Sequence, residues 1–256
     1  MAAVHRWPAH CRILGIFLLL LCAGAVRAAP RIALIIDDLG NLRAAGERTA
    51  ALQGPVAFAI LPHTPHAAYL ANLANSSGKE VLLHLPLQPV DTGNVRGIGN
   101  IELNLSRGQF ARIFGANLAS VPYVTGINTH MGSLITQHPG HMSWLMRELH
   151  QRGDLFFVDS RTTAASVALQ VALEYGVPAT RRDVFLDDDP DPRAIAAQFD
   201  RLKNLARVHG GAVAIGHPRP GTLSFLEAVL PRLGDEGIEL VPVRAIIRGQ
   251  QTVAAQ

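Results

Sequence analysis

Eight short apolar runs alternate with longer helix-like stretches from Arg31 almost to the end of the chain, and this alternation constrains the fold more than any other feature. The runs cover residues 32–36, 56–61, 80–84, 123–127, 155–158, 184–186, 212–215 and 238–241. They are near-continuous in Val, Ile, Leu, Phe and Ala, so as strands they need cover on both faces. Helical patterns fill the gaps over 65–75, 107–118, 142–151, 163–175, 191–209 and 222–233. A two-faced apolar strand followed by a helix is the repeat of a parallel sheet clothed in helices. Seven or eight such units in roughly 220 residues predict one distorted, closed β/α barrel in preference to two small open sheets. No repeat, low-complexity segment or linker divides the chain. The long loop, residues 86–100, is rich in Gly, Pro and Asn, and residues 249–256 read as a disordered tail.

The start of the chain reads differently. Arg6 and Arg12 precede an apolar run from Ile13 that ends near Val26-Arg27-Ala28-Ala29. A positive segment, a short apolar core and small residues before a cut are the layout of a secretory signal peptide, here residues 1–28. The apolar run is short for a bilayer span, so the mature chain is expected to have no integral membrane span and to be exported across the inner membrane to the periplasm. The leader holds three of the 23 Lys and Arg and none of the 20 Asp and Glu, which leaves the remainder formally neutral. Such a chain offers nucleic acid no electrostatic footprint. Cys11 and Cys22 are the two cysteines, and both lie in the leader. A metal site in the domain at 29–248 must therefore use His, Asp or Glu.

Polar residues then fall in a telling place. Asp37-Asp38 ends the first run, and His84 ends the third. Asn128 and His130 follow the fourth, Asp159-Ser160-Arg161 ends the fifth, and His217 follows the seventh. Active sites of parallel α/β barrels sit at the carboxyl ends of the strands, which is where all five groups lie. Singly, each has a structural explanation. Asp37 or Asp38 can cap the next helix, and His84 can be a satisfied core histidine. His130 can be bonded within its Gly-rich loop, Asp159 and Arg161 can pair with each other or Asp187 can take the arginine, and His217 can be a turn residue before Pro218. Five on one rim point to a site.

The segments Ile35-Ile36-Asp37-Asp38-Leu39-Gly40, Leu83-His84-Leu85-Pro86, Asn128-Thr129-His130-Met131-Gly132-Ser133, Phe157-Val158-Asp159-Ser160-Arg161-Thr162, Asp183-Val184-Phe185-Leu186-Asp187 and Ala214-Ile215-Gly216-His217-Pro218 carry a resemblance. In this order they resemble the motif set of the divergent polysaccharide deacetylase family, over roughly residues 30–248. The resemblance implies a distorted β/α barrel related to esterases that remove N- or O-acetyl groups from polysaccharides. Ordinary members of that superfamily use an Asp-Asp pair, a His-x-x-x-His pair and a late histidine. Here no two histidines are four apart; His63/His66 and His138/His141 are three apart.

The implied ligand set is thus drawn from separate strands: Asp38, His84 and His130, with His63 and His66 in reserve. One carboxylate and two imidazoles suit a divalent metal, zinc by default, with positions open to water and substrate. Asp37 is the implied base and His217 the implied acid. Asp159 is expected to orient His217 or a ligand histidine, and Arg161 to hold Asp37 ionised. The implied substrate is an acetylated cell-envelope or extracellular polysaccharide, or a peptidoglycan-type glycan. Two rivals are a non-catalytic envelope protein that binds glycan or a cell-wall partner through a degenerate barrel, and a metal hydrolase of another amide. Aromatic residues make up 5% of the chain. Tyr69, Tyr123, Trp144 and Phe110 are the candidates for stacking on sugars, with core packing as the simpler role for each.

Overall fold

The computed structural model describes residues 1–2, 29–91 and 97–254. The leader reading falls on residues outside this set, and among the described residues no helix is long and apolar enough to cross a membrane.

Strands and helices follow the sequence pattern, with two helices and a strand added. β1 (Arg31–Leu39), β2 (Ala57–Ile60), β3 (Val81–Leu87), β4 (Val124–Met131) and β5 (Phe156–Asp159) come first. β6 (Ala179–Arg181), β7 (Val184–Phe185), β8 (Gly211–Gly216) and β9 (Glu239–Leu240) complete the strands. The helices are α1 (Arg43–Ala51), α2 (Ala67–Ser76), α3 (Arg107–Ala119), α4 (Pro139–Arg152), α5 (Ala168–Glu174), α6 (Pro192–His209), α7 (Pro220–Val229) and α8 (Val243–Ala254).

Every strand pair is parallel, in the order β6-β5-β4-β3-β2-β1-β8-β7, with β9 beside β1. Read as a ring, this is the sequential order of a β/α barrel with its seam between β6 and β7. The two residues at the seam reach opposite ways. Arg182 donates its backbone N–H to Asp159 O on β5, and Asp183 donates its own to Val213 O on β8. The barrel is curled almost shut and left without a ladder at that edge.

Side chains alternate along each strand between two cores. The larger lies between sheet and helices and takes Ile32, Leu34 and Ile36 of β1, Leu83 of β3 and Phe157 of β5. The smaller fills the barrel interior with Ala33, Ile35, Ala57, Ala59, Leu82, Phe156, Val158, Val213 and Ile215. Val243, Ile246 and Ile247 of α8 join this interior core and close its amino-terminal end. α8 is held there by Glu80, whose carboxylate accepts the backbone N–H groups of Val243 at 2.6 Å and Arg244 at 3.1 Å. The helix runs on to Ala254, into the stretch expected to be a tail, because Ile246 and Ile247 anchor its apolar face.

Other differences from the sequence reading have local causes. α1, with the sequence RAAGERTAA, is too rich in alanine and charge to show an apolar stripe. β6 is three residues long, too short to register as a run. α5 starts five residues later than expected, because the Ser166 hydroxyl is bonded to Asp159 and Val167 N–H to Thr136 O. α3 and α6 start where caps predict: Ser106 and Gln109 form a capping box, and Asp191 caps Arg193 N–H.

Candidate metal centre and active site

The alternation that builds the interior core also supplies the site. On β1 the inward residues are Ala33, Ile35 and then Asp37; on β3, Leu82 and then His84. On β4 the same parity runs Gly126, Asn128, His130, and beyond β8 it passes from Val213 and Ile215 to His217. The polar residues are thus the top layer of a barrel whose lower layers are apolar. Asp37, His84, His130 and His217 line a cavity of about 550 Å³ together with Asp38, Ser160, Arg161, Arg182, Phe185 and Arg219, and Asn128 is fully buried behind them.

Asp38 has the outward parity yet belongs to the site. Its φ of +57° is in the left-handed region, and the β1–β2 register shifts between Ile36 and Leu39. The bulge turns Asp38 onto the rim beside Asp37, a conformation Asp tolerates better than most residues.

Asp38, His84 and His130 each offer one ligand atom, all within 4.8 Å of one another. Asp38 Oδ1 stands 3.2 Å from His84 Nε2 and 2.9 Å from His130 Nδ1, and the two nitrogens are 3.2 Å apart. Ligand atoms of a tetrahedral zinc ion lie roughly 3.3 Å apart, given bonds of about 2.0–2.1 Å. Asp38 Oδ1 is also buried without a hydrogen bond of acceptable geometry, although two imidazoles face it. Burial opposes its charge, but the imidazoles of His130 and His84 overcome that and hold its carboxyl well below the usual carboxylate range.

Asn128 fixes the outer side of this set. Its Nδ2 donates to Asp37 Oδ1 at 2.7 Å, so its Oδ1 is the acceptor that stands 2.9 Å from His84 Nδ1. His84 must therefore carry a proton on Nδ1, so its neutral form turns the Nε2 lone pair toward Asp38 and His130. The residues present fit a divalent ion.

Asp37 is buried, and burial pushes its carboxyl above the ordinary value against the lowering influence of His84 and Asn128. Its Oδ2 lies 3.6 Å from His84 Nε2. On the other side of the site, His217 points Nε2 toward Asp38 Oδ2 at 3.7 Å. Its Nδ1 is 2.9 Å from Asp187 Oδ1, and its backbone N–H donates to Asp187 Oδ2 at 2.8 Å. Thr222 Oγ1 donates to the same oxygen at 2.7 Å. Burial opposes the charge on His217, but Asp187 outweighs it and holds the imidazole above its usual range.

Two of the expected roles change hands. Asp159 has the outward parity of Phe157, and its carboxylate accepts Arg161 N–H and the Ser166 hydroxyl. The group that holds His217 is Asp187, which the sequence offers only as a motif residue and a partner for Arg161. The β7–β8 register pairs Phe185 with Ile215, and two residues further on the same parity sets Asp187 opposite His217. Arg161 lines the cavity with φ +47°, and among the described residues no bond joins its guanidinium to Asp37. Arg182 feels the charge of Asp37, though burial dominates and lowers its own pKa. The reserve histidines stand aside: His63 bonds Asn117 Oδ1 at 3.0 Å beside an adjoining cavity, and His66 precedes α2. Tyr69 and Tyr123 are exposed away from the cavity, while Phe110 is core and Trp144 packs against it.

The family model described as divergent polysaccharide deacetylase matches residues 34–247. An uncharacterized protein of Haemophilus influenzae is 36% identical over 226 residues, covering 88% of this chain and 80% of that one. The crystal structure of the uncharacterized protein ATU2773 from Agrobacterium tumefaciens superposes with a TM-score of 0.82 at 21% identity, over 86% and 89% of the two chains. Peptidoglycan deacetylase PdaC from Bacillus subtilis shares the fold at a TM-score of 0.53 and 14% identity, over 89% and 95%. So does BA3943, a CE4 family pseudoenzyme from Bacillus anthracis, at 0.51 and 13%, over 86% and 66%.

Proposed function

This chain belongs to the divergent polysaccharide deacetylase family, and on that premise we propose that it is an exported, metal-dependent hydrolase that removes acyl groups, acetyl above all, from an envelope glycan in the periplasm. The observation that carries the reading is the convergence of Asp38, His84 and His130 between a buried Asp37 and an Asp187-held His217. The bound ion would lower the pKa of a water and polarise the acyl carbonyl.

The chain's own residues supply the rest. Asp37 accepts the proton given up by the attacking water, a task suited to a carboxylate raised toward the working pH. Its free oxygen is Oδ2, since Oδ1 is occupied by Asn128. His217 gives a proton from Nε2 to the leaving nitrogen or oxygen as the acyl bond breaks, and Asp187 keeps the ring oriented and charged for that step. Water is consumed, and acetate and a free amine or hydroxyl are released.

A CE4 family pseudoenzyme from B. anthracis shares the fold, and a second reading for this chain is a glycan-binding barrel without chemistry. A base and an acid on opposite sides of one ligand set favour the enzyme, because a binding module needs neither. The test is metal content followed by acetate release from N- and O-acetylated glycans. About one divalent ion per chain is expected, with Asp37→Asn retaining the ion and losing acetate release. A protein that holds no ion at neutral pH and releases no acetate is a binding module.

A further inference from the structure

At the barrel seam the catalytic cavity adjoins a groove, and that side is cationic. Arg161, Arg182, Phe185 and Asp188 line both the catalytic cavity and an adjoining groove of about 360 Å³, where Asp183, Gln198 and Arg201 are added. Arg219 lines the catalytic cavity at the same side, two residues after His217. Four arginines thus face two acids outside the reacting centre. Among the described residues none of the four forms an ion pair with a carboxylate. Arg182 donates to the carbonyls of Ser160 at 2.6 Å and Arg161 at 2.8 Å, and Arg219 to that of Asp187. Carbonyl oxygens orient a guanidinium without cancelling its charge. Arg161 and Arg201 have no side-chain hydrogen bond at all among the described residues. Of the acids, Asp183 is engaged by Val213 N–H and feels the charge of Arg161, and Asp188 feels that of Arg182, so the two acids offset only part of the four positive charges.

Arg161 is also held in an unusual way. Its backbone is left-handed, its N–H is bound by Asp159 and its carbonyl by Arg182. The peptide is clamped from both sides, and the clamp leaves an unpaired guanidinium lining cavity and groove.

The side matters. His217 packs edge-on against Phe185, with ring centroids 5.2 Å apart, so the acid that serves the leaving group borders this groove. Resting on the hydrolase reading, we propose that the seam groove binds an anionic group, carboxylate or phosphate, on the glycan that leaves, and that the substrate is therefore an acidic glycan. Planar guanidinium forks match both anions.

The test compares zinc-loaded protein on O-acetylated polygalacturonate and O-acetylated xylan of matched acetyl content. The acidic polymer is expected to be preferred at least tenfold in kcat/KM. Arg161→Gln/Arg201→Gln should lower that preference roughly ten- to a hundredfold, through KM. The charge-keeping Arg161→Lys/Arg201→Lys should restore much of it. Binding of unacetylated oligogalacturonate and of inorganic phosphate to the metal-free protein, by calorimetry, reads the groove without catalysis. Tighter binding of one or the other says which anion the glycan carries. Equal turnover of the two polymers with no binding of either anion overturns the groove and leaves the hydrolase standing. Salt-sensitive binding that the Gln variant loses, with no acetate released from any glycan, keeps the groove and removes the hydrolase.

Discussion

The Nε2 atom of His84 and the Nδ1 atom of His130 stand 3.2 Å apart, each facing Asp38 Oδ1. Because Asn128 Oδ1 accepts the Nδ1–H of His84, the neutral imidazole presents the Nε2 lone pair to this space. Two imidazole nitrogens and a carboxylate oxygen this close repel one another unless a proton or a cation lies among them.

That relationship makes Asn128 a metal-affinity residue although it ligates nothing. Partners that fix the tautomer of a ligand histidine contribute about 10–100-fold in affinity. Asn128→Ala should weaken zinc binding by that factor while His84→Ala abolishes it, both read by competition with a chromophoric chelator. Wild-type affinity in Asn128→Ala would mean that the His84 tautomer is set by something else.

Asp187 should control the alkaline limb of the pH–rate profile. It raises the pKa of His217, and His217 acts while protonated, so activity falls as pH rises through that pKa. In Asp187→Asn the limb should move to lower pH, with kcat reduced and zinc content retained. An unshifted limb would remove His217 as the acid.

How much of this was legible in sequence follows from strand parity. Asp37, His84, His130 and His217 continue the inward alternation of apolar strands, so a reader who counts by twos arrives at them. Asp159 fails the same count, since it shares the face of Phe157, and only its place at the end of the fifth run marks it in the sequence. Asp38 fails it as well and reaches the site only through its bulge, which no apolar pattern encodes. Asp187 needed one more piece, the neighbour relation of β7 and β8, because its partner lies thirty residues away in sequence. The barrel itself was plain from the runs, but its open seam was not, because β6 and β7 are three and two residues long.

His141 predicts a stability change with acid. It is buried beside Trp144 and Phe110, its Nε2 has no hydrogen bond of acceptable geometry among the described residues, and its Nδ1 lies 3.1 Å from His138 Nδ1. Burial, then His138, pushes its pKa below the ordinary 6.5. The unfolded chain binds this proton first, so stability is full above about pH 6.5 and declines as pH falls toward the folded pKa, by at most about 1.4 kcal/mol per pH unit. His141→Phe, which keeps an aromatic ring, should show a shallower loss between pH 6.5 and 5 in urea melts. His84 and His217 are common to both proteins and cancel in the comparison. Parallel pH profiles would show that His141 stays neutral for another reason or is protonated at little cost.

Gly126 predicts how tightly the barrel interior is filled. It pairs with Phe156 across β4 and β5, and a Cβ there would lie 2.4 Å from the Phe156 ring. The ring is fully buried in the interior core and covered by Arg244, whose guanidinium carbon is 5.1 Å from its centroid. It is no flexible tip that swings aside. Replacing Gly by Ala gains about 0.4–1 kcal/mol from the unfolded chain, but overpacking a filled core costs typically 1–3 kcal/mol. The second effect should win, so Gly126→Ala lowers Tm by several degrees, at roughly 2–4 °C per kcal/mol for a domain of this size. Because Gly126 precedes Asn128 by one inward step, the strand shift should also loosen the Asn128–Asp37 bond and weaken zinc binding. Trimming the obstacle separates the causes: in Gly126→Ala/Phe156→Leu the two costs should sum to less than their separate values. Additive costs would show that the ring and the glycine do not compete for the same space.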